Sequence, residues 1–499
     1  MPEKVNIKLN ISNICNFIHK PPKKVQMALD LVEPGDDTNI YGQQERVSKV
    51  LPPQVTAKML CIDIVRIAWP AFMEFILTQL VSMVDMIMVG QLGPWAISAV
   101  GLTSQPKFLL MAAFMSMNVG ATALIARYKG EGDDKKTNMV LRQALLITFV
   151  LSAITSGIGF IFSEPIIRFM GAEDAQTLNA ATGYLQIQML GFVILALTST
   201  ITAALRGIGN SKTAMIYNTA ANVFNVIFNY LLIYGHFGFP RMEVMGASLA
   251  TVIGQCVAFI LASIVILRGN NYLHLRFKDG FMPQWKVIKS IFRIGIPSMV
   301  EQLLLRMGHI TYTRAVASLG NLAFATHNIC TNIQSMSFMN GRAFAVSATS
   351  LVGQSLGKKR PDMAQAYSRY TRRIGMTISI MMGLSFWVFR KPIISMYTDD
   401  ASVLALGGQI LAFVAFAQPF QSSQFILSGA LRGAGDTRAI AVIIFFTVLL
   451  IRPGLAMLAI YVLDWGLHGA WLGFVVDQMI RSLLVLLRFN SGKWKRIKV

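Results

Sequence analysis

The sequence contains little charge for its length and too few cysteines for a disulfide framework. Of its 499 residues only 14% are charged and 54% are hydrophobic, and the mean hydropathy is +0.53. The 39 glycines follow no collagen-like period, and the cysteines, expected to be free thiols, are only Cys15, Cys61, Cys256 and Cys330. A soluble chain of this size needs more charged surface. These shortages therefore exclude soluble, fibrous and disulfide-rich classes and indicate a membrane protein.

Long apolar runs are the main feature that the sequence does contain. A helix needs about 20 apolar residues to cross a hydrocarbon core of about 30 Å. Twelve runs are long enough, near residues 60–89, 96–126, 139–163, 179–205, 213–235, 243–267, 287–317, 322–356, 366–389, 402–431, 437–463 and 466–487. We therefore predict an all-α polytopic membrane protein with twelve transmembrane helices.

The formal net charge of +21 has a topological explanation. Basic residues concentrate in every second connection and in the C-terminal tail, whereas the opposite connections hold only Arg168, Arg241, Arg390 and Lys391. The positive-inside rule then predicts a plasma-membrane protein with both termini and the basic connections in the cytoplasm. A nucleic-acid partner is not expected. Residues 1–57 are polar and lack the apolar core of a signal peptide, so they are predicted to be a cytoplasmic extension.

The two halves of the chain resemble each other. A spacing of 227 residues relates Pro70 to Pro297, Glu74 to Glu301, and "ATALIARYKG" at 121–130 to "ATSLVGQSLG" at 348–357, and a spacing of 226 relates "ALRGIGNSKT" at 204–213 to "ALRGAGDTRA" at 430–439. Each unit carries six spans. Because six is even, the units are parallel repeats related by an axis along the membrane normal. Two six-helix lobes around a central cavity are typical of alternating access.

The repeat predicts the domain organisation. We expect a polar extension at 1–57, an N-lobe at 58–267, a cytoplasmic linker at 268–286, a C-lobe at 287–488 and a basic tail at 489–499. The two "LRG" turns lack the Gly-Lys step and the preceding strand of a phosphate-binding loop, so their Arg and Lys are interpreted as charges of cytoplasmic turns. No enzymatic activity and no cofactor are expected, and the expected energy source is an ion gradient or a partner protein.

Several of these motifs resemble those of a known family. "PAFMEFILTQLVSMVDMIMVGQLG" from Pro70, the two "LRG" turns, "NVFNVIFNYLLIYG" and "GASLATVIG" are similar to the multidrug and toxic compound extrusion (MATE) transporters of the MOP superfamily. The resemblance covers about residues 58–490 and is closer to the bacterial DinF-like branch than to the NorM-like branch. In the NorM-like branch an acidic residue is expected eight positions after the proline of span seven, where this chain has Leu305.

Four acidic residues lie well inside the spans, namely Glu74, Asp85, Glu301 and Asp477. A charge at the bilayer centre costs about 2.5 to 3.5 kcal/mol on insertion scales, so each needs a partner or a water-filled cavity. The resemblance assigns Asp85 to a cation site. It adds Asn225, Asn229 and Thr251 as neighbours, with Asn229 at a position where the family has an acid. These four residues are predicted to bind the coupling ion, H⁺ or Na⁺; alternatively, the asparagines only join helices.

Glu74 and Glu301 are repeat equivalents and are predicted to line the substrate cavity together with Arg306 and Arg342. The carboxylates would attract the organic cations that the resemblance implies as substrates. Alternatively, Arg306, Arg342 and two histidines, His309 and His327, neutralise Glu301. Asp477 is expected to pair with Arg481, four residues later on one helix.

These features predict a monomeric secondary active exporter that exchanges H⁺ or Na⁺ for small lipophilic organic cations. The alternative within transport is a flippase for lipid-linked precursors of the same superfamily, which is expected to have a basic cavity such as Arg306 and Arg342 would give. A channel or a membrane scaffold is the alternative from another class.

Overall fold

A computed structural model describes residues 27–35, 52, 54–172, 174–269 and 272–497. Within these ranges the chain is helical and forms no strand. Most of the predicted extension at 1–57 lies outside the described residues. The predicted all-α fold is confirmed.

The helices repeat the same order in the two halves. The first half contains α1 Ala57–Gly90, α2 Pro94–Glu131, α3 Asp134–Ile161, α4 Ser163–Phe169, α5 Ala175–Leu190, α6 Phe192–Gly207, α7 Ser211–Tyr234 and α8 Glu243–Leu267. The second half contains α9 Trp285–Ala317, α10 Asn321–Gly357, α11 Pro361–Val388, α12 Arg390–Ser395, α13 Ala401–Gly433, α14 Thr437–Ile444, α15 Arg452–Met457 and α16 Gly466–Asn490.

Local sequence signals explain where these helices begin. The side chains of Asp133, Asp174 and Asp400 accept hydrogen bonds from backbone N–H groups in the first turns of α3, α5 and α13. Pro94 and Pro361 stand in the first turns of α2 and α11, where a missing N–H costs nothing. The boundaries therefore follow ordinary capping chemistry.

Length and apolar composition identify seven helices of the described chain as membrane-spanning, and an eighth if α5 and α6, which meet at a 50° bend, form one span. The remaining long helices α7, α9, α10 and α11 carry amide or charged side chains in their middle. Counting them, with α14 and α15 as one span, gives twelve long helical segments. Three of these less apolar helices, α7, α9 and α10, supply part of the polar groups described below.

The eleventh span departs from regular α-helix. Two π-helical segments, Phe445–Ile451 and Leu458–Val462, flank α15 and its proline Pro453. Proline removes a backbone donor, and a π-bulge accommodates the resulting mismatch. The adjacent Arg452 points into the C-lobe, as described below.

The lobes meet through repeat-related contacts between α2 and α10. A Cβ at Gly130 would collide with the backbone oxygen of Gln354, and a Cβ at Gly357 would collide with that of Arg127. Each pair is the other shifted by 227 residues, so the contact is the reciprocal kind that a two-fold axis produces. Only glycine allows the two backbones to approach so closely. The axis therefore passes between the ends of α2 and α10 that carry the basic connections.

A second reciprocal contact lies ten residues, or nearly three helical turns, further from the basic ends of α2 and α10. Gly120 of α2 packs against the backbone oxygen of Ile291 in α9, and its equivalent Ser347 of α10 donates a hydrogen bond to the oxygen of Ile64 in α1 at 3.2 Å. The lobes are thus closed against each other on the basic face.

The described part of the N-terminal extension lies across this closed face. Ala28 donates a backbone hydrogen bond to Asp63 Oδ2 of α1 at 2.9 Å, and Tyr367 of α11 donates its hydroxyl to the same oxygen at 2.8 Å. Lys358 donates to the backbone oxygen of Leu29 at 2.9 Å. Residues 27–35 therefore connect the two lobes.

Candidate functional site

The first polar cluster contains all four residues predicted to bind the coupling ion. Asn229 of α7 donates a hydrogen bond from Nδ2 to Asp85 Oδ1 of α1. In the amide orientation that satisfies its surroundings, Asn225 donates to the same oxygen at 3.1 Å. Its own oxygen then accepts from the backbone N and the Oγ1 of Thr251 in α8, at 3.2 and 3.3 Å. The structure brings these four side chains together, and their role in ion binding stays a prediction.

Packing of α7 against α8 encloses this cluster. Gly254 of α8 lies so close to α7 that a Cβ there would be 2.9 Å from the Ala221 oxygen and 3.1 Å from the Asn225 Cβ. Asn225 and Asn229 are 6% and 0% exposed, and Asp85 is half-buried. Asn229 Oδ1 is buried and has no hydrogen-bond partner among the described residues. A carboxylate and an unpaired amide oxygen are oxygen ligands that a hard cation can use.

A lysine that sequence analysis missed lies beside this cluster. Lys107 of α2 donates from Nζ to Gln188 Oε1 of α5 at 2.7 Å. Lys107 and Asp85 are close enough to act on each other electrostatically. The sequence does contain a signal for this group, because Lys107 follows Pro106 as a single lysine inside the apolar run at 96–126.

Glu74 is held in an ion pair within the N-lobe. Arg206 of α6 donates to Glu74 Oε1 at 2.8 Å, and Asn218 of α7 donates to the same oxygen at 2.8 Å. Glu74 is 7% exposed. Its charge is therefore compensated inside the lobe.

The C-lobe contains the equivalent pair. Arg432 of α13 donates to Glu301 Oε1, and Glu301 is fully buried. Arg432 lies 226 residues after Arg206, as Glu301 lies 227 after Glu74, so the repeat preserves the whole ion pair. The partner of Glu301 is thus not one of the four side chains considered from the sequence. The interpretation of these "LRG" arginines as charges of cytoplasmic turns was wrong, because both side chains turn inward to the carboxylates.

Arg342 and Arg306 have aromatic rather than acidic neighbours. The Arg342 guanidinium lies 5.4 Å from the ring centroid of Phe75 in α1, and that of Arg306 lies 3.8 Å from the ring centroid of Phe108 in α2. In the part of the chain that the structure describes, neither guanidinium forms an ion pair with a carboxylate. Arg342 and Arg306 therefore each form a cation–π contact with a ring of the N-lobe.

The interior of the C-lobe holds a third ion cluster. Asp477 of α16 accepts hydrogen bonds from Arg481 and, at 2.9 and 2.6 Å, from Nε and an Nη of Arg452. The predicted pair is present, and Arg452 is the partner that sequence spacing did not reveal. At the position equivalent to Asp85 this lobe has Tyr312, buried beside His327. Among the described residues, the C-lobe interior therefore has no carboxylate at the position equivalent to Asp85.

Comparison with known proteins identifies the family. The sequence model named MatE matches residues 70–231 and again 297–458, and the two matches are separated by the repeat spacing of 227. The chain belongs to the MatE family. This MATE protein is a multi-pass membrane transporter and not an enzyme, which confirms the resemblance seen in the sequence.

Curated relatives match nearly the whole chain. The protein is 28% identical over 439 residues to a probable multidrug resistance protein NorM of Thermotoga maritima, covering 87% of this chain and 93% of the relative. It is 26% identical to the multidrug resistance protein PmpM of Pseudomonas aeruginosa, covering 87% of this chain and 92% of the relative. Placement in the DinF-like branch stays a prediction.

Solved structures confirm the fold of this MATE protein. A MATE in complex with MaD3S superposes with a TM-score of 0.82 at 21% identity, over 88% of this chain and 97% of that chain. A MOP superfamily transporter from Pyrococcus furiosus, described as having a binding pocket of reverse polarity, gives 0.81 at 22% identity, over 88% and 97%.

Proposed function

We propose that this MATE protein is a secondary active exporter in which inward movement of a cation drives outward movement of an organic solute. The observation that carries the proposal is the half-buried Asp85, enclosed by two amides and Thr251 in one lobe only. A membrane carboxylate without a permanent ion-pair partner at hydrogen-bond distance can gain and lose a cation during a cycle. The names of the bacterial relatives support drug efflux as the activity.

Protons fit the Asp85 cluster better than Na⁺. A proton needs one carboxylate oxygen, whereas a hard metal cation needs several oxygen ligands. Here the amides of Asn225 and Asn229 present nitrogen to Asp85. Asn229 also lacks the negative charge that an acid would contribute to binding of a metal cation. H⁺ is therefore the proposed coupling ion.

The lobes predicted at 58–267 and 287–488 are the units that move in this proposal. With the basic face in the cytoplasm of a plasma membrane, contact through Gly130 and Gly357 closes the cytoplasmic side in the described state. A monomer is the proposed working unit.

The experiment compares export in proteoliposomes by wild type, Asp85→Asn and the control Glu164→Gln. Asp85→Asn removes the titrating group, so export driven by an imposed pH gradient is expected to stop while the protein stays folded in detergent. Glu164 is exposed and paired with Arg168 outside the cluster, so its variant is expected to export normally. Wild-type rates in Asp85→Asn would contradict the proposal. Export that follows an imposed Na⁺ gradient and ignores pH would replace H⁺ with Na⁺.

A further inference from the structure

The cleft between the lobes has more positive than negative charge. Glu74 and Glu301, the carboxylates predicted from the sequence to line it, are buried and already paired with Arg206 and Arg432 inside their own lobes. The positive charges of Arg206 and Arg432 act on Arg342 and repel its guanidinium. Within the described chain no carboxylate neutralises Arg342. A cationic solute would therefore meet net repulsion here, and an anion would meet attraction that low dielectric strengthens.

Arg342 is accessible although it lies among buried groups. It belongs to the exposed class of side chains, whereas Glu74 and Glu301 beside the neighbouring arginines are buried. The exposure of Arg342 therefore opens into the cleft between α1 and α10. An unpaired guanidinium at membrane depth is costly, so it is expected to have a function.

Arg306 continues the positive charge along the cleft. It is half-buried and follows Glu301 by five residues on α9, which is a rise of about 7.5 Å away from the basic face. Arg342 lies at the level of the two ion pairs that act on it. The Arg342 guanidinium therefore lies deeper in the cleft, and the Arg306 guanidinium lies farther from the basic face.

The repeat does not account for these arginines. The positions equivalent to Arg306 and Arg342 in the N-lobe are Gln79 and Met115. In contrast, each lobe has one Glu–Arg ion pair, Glu74 with Arg206 and Glu301 with Arg432. The two unpaired arginines therefore occur in the C-lobe only. On the N-lobe side they contact the rings of Phe75 and Phe108.

We propose that the cleft recognises an amphipathic organic anion, with its acidic headgroup bound by Arg342 and Arg306 and its apolar body against Phe75 and Phe108. A guanidinium can bind a carboxylate, sulfonate or phosphate oxygen through two parallel hydrogen bonds. An aromatic ring that holds the guanidinium also offers a face for apolar groups. The inference names the substrate class of the proposed exporter and rests on that function. It departs from the organic cations expected from the sequence.

The first test measures equilibrium binding in detergent, which needs no ion gradient. Two probes share a pyrene-butyl body and end in either a sulfonate or a trimethylammonium group. The sulfonate is expected to bind at least tenfold more tightly. Arg342→Gln and Arg306→Gln should each weaken sulfonate binding about tenfold without weakening the ammonium probe, and Arg342→Lys should retain part of the affinity. The control Arg168→Gln, on an exposed helix outside the cleft, should change neither.

Binding and export separate the two proposals. Equal affinity for both probes, tighter binding of the ammonium probe, or unchanged sulfonate binding in both arginine variants would overturn the anion site. Tight sulfonate binding without gradient-driven export would leave the anion site standing and overturn the exporter.

A second arm in the same proteoliposomes follows headgroup-labelled phosphatidylglycerol. Its movement across the bilayer, lost in Arg342→Gln, would identify a lipid as the source of the anion. Export of the sulfonate probe alone would identify a soluble one. If neither is moved or bound, the inference fails.

Discussion

Lys107 sets the electrostatic surroundings of Asp85 at the residue scale. Its positive charge favours the ionised carboxylate and opposes uptake of a cation. In Lys107→Gln we expect Asp85 to bind a proton more tightly, so that the pH of half-maximal export rises by about one unit, equivalent to about 1.4 kcal/mol. The measurement is export rate against pH, with Lys136→Gln as control because Lys136 pairs with Asp133 on the exposed end of α3. An unchanged profile would mean that Lys107 serves only to hold Gln188.

The repeated Glu–Arg pairs are the other feature at this scale. Breaking one side of a buried pair leaves a charge uncompensated and costs about 3 to 5 kcal/mol, whereas removing both partners costs less. We expect Glu74→Gln to lower unfolding stability strongly and the double variant Glu74→Gln/Arg206→Gln to recover part of it. Chemical unfolding in detergent measures the cycle. The exposed Glu164–Arg168 pair is the control, expected to contribute about 0 to 1 kcal/mol. If the stability loss of the Glu74→Gln/Arg206→Gln variant equals the sum of its two single losses, as expected for the exposed control pair, a stabilising buried ion pair is contradicted.

Residue patterns predicted one part of the site and missed another for a physical reason. Asn225 and Asn229 share a helix face, and the family resemblance marked both as neighbours of Asp85. The partner of Glu74 is 132 residues away, and no periodicity links the two. Comparison of both halves could have found it, because a carboxylate and an arginine that recur together are expected to touch. Lys107 has no such counterpart and stands alone in an apolar run.

At the scale of the helices, some features were likewise predictable from the sequence and others were not. The strongly apolar spans and the repeat were predictable from composition, since lipid imposes both length and polarity. The break between α5 and α6 and the π-helical segments around α15 depend on packing between helices, which single-span patterns do not contain. The span predicted at 402–431 is slightly longer in the structure, where α13 follows the Asp400 cap and runs from Ala401 to Gly433.

The crossing of α2 and α10 is the element that closes the basic face. A larger side chain at Gly130 would meet the Gln354 backbone, so Gly130→Leu is expected to hold the lobes apart on this side. Ala126 is fully buried in this contact and serves as reporter. In a cysteine-free background, Ala126→Cys should react with a membrane-impermeant maleimide much faster when Gly130→Leu is present.

Gly101 provides the matched control for this experiment. It belongs to the same helix, but a Cβ there meets nothing within 4 Å. Gly101→Leu should leave labelling at position 126 slow. Slow labelling in Gly130→Leu as well would show that another contact closes the face.

At the scale of the whole molecule the lobes have diverged in charge. Asp85 of the N-lobe lies among amides, whereas Asp477 of the C-lobe is paired with two arginines, Arg452 and Arg481. Arg306 and Arg342 add two further positive charges to the C-lobe side of the cleft. Under the two proposals made above, the N-lobe handles the coupling ion and the C-lobe binds the headgroup of the solute.

This division predicts the charge that a transport cycle moves. Exchange of one inward H⁺ for one outward monovalent anion transfers two positive charges inward, whereas exchange for a monovalent cation transfers none. A potential of 100 mV, negative inside, would then add about 4.6 kcal/mol to the driving force for the anion and nothing for the cation. Proteoliposomes loaded with the pyrene-butyl sulfonate, with the potential set by a potassium gradient and valinomycin, measure the effect as efflux rate.

Efflux of the sulfonate is expected to accelerate when the interior is negative and to slow when the potential is reversed. Protein-free liposomes give the leak of the lipophilic anion, which is subtracted. Asp85→Asn should show no potential-dependent efflux above that leak, because a lobe that cannot take up the proton cannot complete the exchange. Sulfonate export that ignores the potential would contradict this one-to-one exchange of opposite charges, since only a cycle with no net charge movement is blind to the field.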